Sequence, residues 1–420
     1  MKQCDPKNDP LNSIDLIALS TQVLLPTYAR FPLAFARGKG ARLWDFEGKE
    51  YLDFGGGIAV TSLGHAHPKI IEAITQQAQT LTHTSNLYHT EPAVRLAQTL
   101  VKWTGPGKCF FCNSGAEANE ALYKLARKKG HDSKRFEIIT TLQSFHGRTL
   151  AGIAATGQEK VKKGFEPAVE GFRHVPFNDL AATEKAITDK TVAILIEGIQ
   201  GEIGIIPASP DYLLGLRKLC NERNLLLMMD AIQCGMFRTG RFLSYERILE
   251  NSPSKDFLPD AISMAKGMAN GFPIGSIWVR EPYTELLGAG SHGTTFGGTP
   301  LACSASLAAF ETIRSEKLAE NARIQGEYLK KQILEIHSPH VREVRGFGLM
   351  LGVELQAHIP ALRVEGKNPA ALFTSKLHEL GLLTIPSANP VIRLLPPLNV
   401  TRAECDEAVD KLSRGLSQLS

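Results

Sequence analysis

The chain contains no apolar run long enough to cross a bilayer, and its first residues, Met1-Lys-Gln-Cys-Asp-Pro6, carry no apolar core of a secretory leader. These absences set the expectation of a cytoplasmic protein with no membrane partner. Excess charge is small: 47 Lys and Arg against 43 Asp and Glu leave +4 over 420 residues. Basic residues cluster only briefly, at Arg127-Lys-Lys129 and Lys160 to Lys163. A nucleic-acid surface needs a concentrated field of one sign, so these read as solvated helix faces and no nucleic-acid partner is expected. Cysteines number seven, an odd count, and Cys112 and Cys220 sit within or beside apolar patterns, as reduced thiols do. Cys109-Phe-Phe-Cys112 has redox spacing, but it lies in a strand-like run with no second pair to complete a zinc site. No metal is expected. There is no internal repeat and no low-complexity segment. Gly55-Gly-Gly57 does not fit Gly-x-Gly-x-x-Gly, which argues against a dinucleotide loop.

What is present is a globular composition, 43% hydrophobic and 21% charged, on a chain long enough for two or three structural units. Pro68 opens an amphipathic helix with Ile70, Ile71, Ile74, Ala78 and Leu81 on one side, and a second runs through Val94, Ala97, Leu100 and Val101. Ala118, Ala121, Leu122, Leu125 and Ala126 repeat at the same spacing. Strand candidates are Lys108 to Cys112, Phe136 to Thr140, Val192 to Ile196, Leu225 to Met229, Ala261 to Met264 and Ser276 to Val279. Continuous apolar runs with helices between them predict an α/β fold with a mostly parallel sheet covered on both faces. After Thr299-Pro300 the pattern changes. A helix over Leu301 to Ile313 precedes strand candidates Glu343 to Glu354 and Val391 to Leu395, and a helix from Thr401 to Leu416 closes the chain. The stretch from Glu250 to Asp256 reads as a surface loop insertion.

Parallel sheets place ligands at the carboxyl ends of their strands, and the reactive side chains collect there. The run Ala261 to Met264 delivers Lys266 into a loop broken by Gly267, Gly271, Pro273 and Gly275. An amine in such a place can lose its proton and attack a carbonyl. Leu225 to Met229 ends in Asp230. A lysine and an aspartate at two buried strand ends fit pyridoxal phosphate: the lysine holds the aldehyde as a Schiff base, and the aspartate keeps the pyridine nitrogen protonated. Ser114 and Gly115 precede a helix, where free N–H groups bind phosphate, although an ordinary N-cap has the same appearance. Phe145 and Arg148 offer a stacking ring and a carboxylate ligand, or equally a surface turn. His146 reads as a positioning residue. Glu197 and Glu202 follow another strand and are as compatible with solvent as with a site.

Leu43-Trp-Asp-Phe-Glu-Gly-Lys-Glu-Tyr-Leu-Asp53, Gly64-His-Ala-His-Pro68, Phe110 to Glu120, Phe145-His-Gly-Arg-Thr-Leu150, Gln200-Gly-Glu202, Gln233-Cys-Gly235, Arg238-Thr-Gly240, the Lys266 segment and His292-Gly-Thr-Thr-Phe-Gly-Gly298 occur in order. From about Thr27 onward the chain resembles the class III, fold-type I pyridoxal-phosphate aminotransferases, and within them the acetylornithine aminotransferases. The resemblance implies a large cofactor-binding domain over 61–305 with a seven-stranded type of sheet. A smaller α+β domain would be built from 306–420 with the segment 1–60. Lys266 would anchor the cofactor and shuttle the proton, Asp230 would face the ring nitrogen and Gln233 the phenolic oxygen, and Phe145 would stack. Ser114, Gly115 and Ala116 would hold the phosphate. Thr295 would reach it from the partner of a homodimer, with Thr294 near the substrate. Arg148 would bind one substrate carboxylate and Arg393 the alpha-carboxylate of glutamate or 2-oxoglutarate, with Glu202 pairing with Arg393 to cover it.

Four positions depart from the family: Ala231, Phe237, Gly198 and Ile203, of which Phe237 and Ile203 are expected to add bulk near the site. Ile58 stands where ornithine-specific relatives resemble one another in a tyrosine. Isoleucine offers no hydrogen bond to a free alpha-ammonium, so a blocked alpha-nitrogen, as in acetylornithine, or none, as in 4-aminobutyrate, is favoured. Ornithine, succinylornithine and N-succinyldiaminopimelate are alternative donors. An aminomutase, a decarboxylase and a non-catalytic cofactor-binding protein are the rival classes.

Overall fold

The computed structural model describes residues 12–252 and 257–419. The sequence-predicted loop from Glu250 is a turn as far as Ser252, and the rest of that stretch, like the N-terminal Met1 to Pro6, lies outside the described residues.

Seven strands form the central sheet. Their spatial order is Gly107–Cys112, Gly275–Arg280, Ala261–Met264, Leu226–Asp230, Thr191–Glu197, Glu137–Thr141 and Phe172–Val175. All neighbours run parallel except Gly275–Arg280, which is antiparallel to both of its own. The inner strands Ala261–Met264, Leu226–Asp230 and Thr191–Glu197 are buried along their whole length and mostly apolar because both faces are covered. In the strand Leu226–Asp230, Leu226 and Met228 point into one cluster, while Leu227 and Met229 point into the other. The same alternation separates Cys109 from Cys112: the first packs against one face and the second against the opposite one. Two thiols three positions apart on a strand cannot share a ligand, and burial pushes both up to about 12. The six described cysteines are free.

Register sets the site. Asp230 is level with Glu197 on one neighbour and with Ser263 on the other, so the two carboxylates and the lysine three residues past Ser263 reach one edge of the sheet. The helix Gly115–Gly130 starts at that edge, capped by Ser114, whose Oγ accepts from Glu117 N at 3.2 Å.

The C-terminal region differs from its reading: the helices Leu318–Glu335 and Pro369–Glu379 were not anticipated, and one strand candidate is divided. Glu343 to Glu354 is not one strand but two, Val341–Phe347 and Met350–Leu355, paired antiparallel. The chain reverses at Gly348, whose φ is 54° and where a Cβ would lie 2.6 Å from the Thr239 backbone. With Val391–Leu394 and Ile385–Pro386 they make a four-stranded sheet. Leu382–Leu383 instead joins the N-terminal strands Phe35–Lys39, Arg42–Asp45 and Glu50–Asp53, so the two ends of the chain share a sheet. The closing helix is Arg402–Ser417, with Thr401 and Glu404 forming a reciprocal N-terminal cap. No described helix is long and apolar enough to cross a membrane.

Candidate active site

At the carboxyl edge of the sheet lies a cavity of about 400 Å³. Lys266, Asp230, Ser114, Gly115, Ala116, Phe145, Arg148, Glu202 and Gln233 all line it. Segments more than a hundred residues apart therefore meet in one cavity.

Lys266 follows the strand Ala261–Met264 with φ 45°, a left-handed conformation that ends the strand abruptly. The loop is pinned from the other side. Asn270 Oδ1 accepts from Leu63 N at 2.7 Å, and Asn270 Nδ2 donates to the Gly64 carbonyl at 2.9 Å. A Cβ at Gly267 would meet Ser62 Oγ at 2.6 Å, so only glycine lets the loop pack this closely. Burial lowers the pKa of the Lys266 amine, Asp230 opposes that shift, and the nearby Arg393 adds to it. A larger neutral fraction is what a nucleophilic amine needs.

Asp230 is buried and held by three donors. Its Oδ2 accepts from Asn119 Nδ2 at 2.8 Å and His146 Nδ1 at 2.9 Å, and its Oδ1 from Ile232 N at 3.0 Å. His146 thus takes the positioning role anticipated for it. Asn119 was not singled out by its sequence, though a signal exists: it lies on the stripe of Leu122 and Ala126, an amide on an apolar helix face. Its own oxygen accepts from Ser263 Oγ at 2.7 Å, which fixes which way the amide points.

Glu197, left open between solvent and site, is buried. Its two oxygens accept from Phe145 N at 3.2 Å and Gly201 N at 3.3 Å, so it ties the Phe145 loop to the segment carrying Glu202. Burial pushes its pKa up to about 7, against the pull of His146. Arg148 is exposed, with its guanidinium 5.5 Å from the Phe145 ring centre.

Several residues are placed otherwise than expected. Glu202 does not touch Arg393: it accepts from Gln158 Nε2 and lies 3.9 Å from Lys160. Arg393 does not line the cavity. It is 4% exposed, donates to the carbonyls of Gly201 and Pro386 at 3.3 and 3.1 Å, and keeps a buried Nε without a partner among the described residues. Burial brings its pKa down to about 10, which leaves it charged at neutral pH. Lys160 to Lys163 begins in the 3-10 helix Glu159–Val161 and ends in a turn, rather than forming a helix face. Phe237 packs with Trp103, Phe242 and Phe310, away from the cavity, and Ile203 is buried without lining it, so neither adds bulk to the site. Ile58 is 42% exposed and also outside the cavity, whereas Val60 lines it. Thr294 Oγ1 accepts from Asn113 Nδ2 at 3.0 Å, beside the cavity. Thr295 lies at a separate surface cavity of about 170 Å³ with His83, Asn86 and Tyr88.

The residues present fit pyridoxal phosphate. Gly115 and Ala116 occupy the first helical positions, whose N–H groups have no intrahelical acceptor. The Ser114 hydroxyl is committed to the cap, so its part in holding phosphate falls to its backbone. Gln233 offers a buried Oε1, unpartnered among the described residues, at the cavity wall. Among the described residues no cluster of side chains has the make-up of a metal site.

Comparison with known proteins agrees with this arrangement. A family model described as aminotransferase class-III matches residues 25–416. The chain is 42% identical over 410 residues to an acetylornithine aminotransferase of Methanocaldococcus jannaschii, covering 96% of this chain and 98% of that one. It is 43% identical over 423 residues to one of Thermosynechococcus vestitus, covering 98% and 99%. The structure superposes with a TM-score of 0.90 on an ornithine aminotransferase of Toxoplasma gondii described as having partial occupancy of PLP at its active site. That match has 30% identity and covers 98% of this chain and 95% of that one.

Proposed function

The chain belongs to the class-III aminotransferases, and we propose that it moves the terminal amino group of N-acetylornithine to 2-oxoglutarate. The products are N-acetylglutamate 5-semialdehyde and glutamate, a step of arginine synthesis. The observation that carries the reading is the meeting of Lys266, Asp230, the free N-terminus of helix Gly115–Gly130 and Arg148 in one cavity.

When bound, pyridoxal phosphate supplies an aldehyde for amine exchange and a ring that accepts the electron pair left by proton removal. The chain's own residues do the rest. Lys266 Nζ would hold the group and afterwards carry the proton. Asp230, fixed by Asn119, His146 and Ile232, presents its charge toward the ring nitrogen. The Gly115 and Ala116 N–H groups would take the phosphate, Phe145 would take a ring face, and Gln233 would serve the phenolic oxygen. Arg148 binds a substrate carboxylate. Arg393 takes the alpha-carboxylate of 2-oxoglutarate, and Glu202 covers it when the donor occupies the site.

The reading includes a homodimer with shared sites. Thr295 lies at a cavity apart from the Lys266 cavity of its own chain, and Leu87, Tyr88 and Phe296 near it are large exposed apolar side chains. Such a patch supports subunit contact. The donor is tested by following the cofactor spectrum in single half-reactions with acetylornithine, ornithine, succinylornithine and 4-aminobutyrate. Acetylornithine is expected to exceed ornithine in kcat/KM by at least about tenfold, because a desolvated ammonium without a partner is rejected strongly. A higher value for any other donor in the panel overturns the assignment.

A further inference from the structure

We infer that Gln158 is the latch that holds Glu202 away from Arg393, and thereby sets the fraction of enzyme open to a dicarboxylate. The inference rests on the reading of Arg393 as a carboxylate site and Glu202 as its cover.

Glu202 has two destinations, and the structure catches it at the one that the gate reading leaves unexplained. Its Oε2 accepts from Gln158 Nε2, and its Oε1 is 3.9 Å from Lys160 Nζ. The same Gln158 Nε2 donates to the Ser144 carbonyl at 3.0 Å. Both partners of this amide are acceptors, so only its NH₂ can face them, and the orientation follows from the partners. The Gln158 Oε1 is buried without a partner among the described residues, so the N–H side fixes the residue. Anchored on Ser144, the amide aims its second N–H at the carboxylate. Lys160 is mostly exposed and contributes less.

The opposite destination is strongly attractive. Arg393 is buried, charged and short of a partner at Nε, and a guanidinium offers a carboxylate two parallel hydrogen bonds. A carboxylate free to choose would go there. Gln158 supplies the competing hydrogen bond, and because it is neutral it holds Glu202 loosely enough to release it. Only the fraction of molecules with Glu202 on Gln158 accepts a dicarboxylate at Arg393, so apparent affinity scales with that fraction. Gln158 is a positioning residue: it acts on the substrate only through Glu202.

The test uses the holoenzyme and glutarate, which has both carboxylates of 2-oxoglutarate and no carbonyl to react, with Kd measured by calorimetry. Gln158→Met keeps the length of the side chain and removes the N–H groups; it is expected to weaken glutarate roughly five- to tenfold. Gln158→Asn keeps an amide but withdraws it, is the less disruptive change at a buried position, and is expected to act in the same direction. In a Glu202→Ala background neither substitution should move Kd by more than about twofold, since the latch then has nothing to hold. Unchanged affinity in the Gln158 variants overturns the proposal, as does an undiminished loss in the Glu202→Ala background, which would place the effect on Ser144 and Phe145. Arg393→Leu separates the two levels: if it leaves glutarate binding intact, the gate itself is wrong whatever Gln158 does.

Discussion

Asp230, Asn119, His146 and Ser263 form one buried chain of hydrogen bonds, and its purpose is orientation. Three donors remove the freedom of this carboxylate to rotate, which suits the proposed pairing with a ring nitrogen. Glu197 is its neighbour of the same sign and bears a cost. Its pKa rises from an ordinary 4.5 to about 7, chiefly by burial. A carboxyl raised in the folded state binds its proton more tightly than the unfolded chain does between those two values. Stability from this residue is therefore full below about 4.5 and lost as pH rises through about 7. The loss is on the order of 3 kcal/mol at most. Glu197→Gln should flatten the decline of thermal stability between pH 5 and 8, read as melting temperature against pH at equal cofactor loading. A variant whose profile falls as steeply as that of the parent would show that another group titrates there.

At the scale of elements, the segment after Asp53 is the least ordinary piece of backbone. Gly56, Gly57, Ile58 and Ala59 have φ of 53°, 61°, 66° and 64°, one turn of left-handed helix. Such a turn costs each L-residue on the order of 1–2 kcal/mol, and a β-branched one most of all. It is held from both ends. Asp53 Oδ1 accepts from Gly55 N and Gly56 N, each at 2.9 Å, and Asp53 Oδ2 pairs with His65 Nε2 at 2.8 Å. A Cβ at Gly56 would meet the Leu395 carbonyl at 2.6 Å, so the turn is wedged against the strand end that follows Arg393. The turn fixes where the Ile58 side chain emerges. Ile58→Tyr is expected to move the kcat/KM ratio of acetylornithine to ornithine toward ornithine by about tenfold, because the phenol supplies a partner for a free ammonium. An unmoved ratio would fit the position of Ile58 outside the one-chain cavity and pass the role to Val60.

The elements also show where sequence is informative. Strand ends at Asp230 and Lys266 were legible because a fully buried parallel strand is a short apolar run, and whatever ends it lies at the ligand-binding edge. The two strands within Glu343 to Glu354 were not separable by pattern, since the reversal needs only Gly348. Asn119 was legible in principle, as an amide on an apolar helix stripe. Gln158 was not: it follows a short helix with no periodicity around it, and its partners Ser144 and Glu202 are distant in sequence. The Glu202–Arg393 pair was inferred from resemblance, and the structure has the carboxylate elsewhere. Two residues that exchange partners give no sequence cue to which partner is held at rest.

For the whole molecule, the fold matters because it brings strand ends, a helix start and the C-terminal Arg393 strand to one edge of one sheet. The level register of Glu197, Asp230 and Ser263 makes that convergence a property of the sheet rather than of any loop. The claim on which everything else depends is that Lys266 is the residue holding the cofactor. Borohydride reduction of the yellow holoenzyme, followed by peptide mass mapping, tests it without reference to turnover or donor. The account predicts one phosphopyridoxyl group per chain, carried on Lys266. A group fixed to any other lysine, or an unmodified Lys266 peptide from fully reduced enzyme, would contradict it.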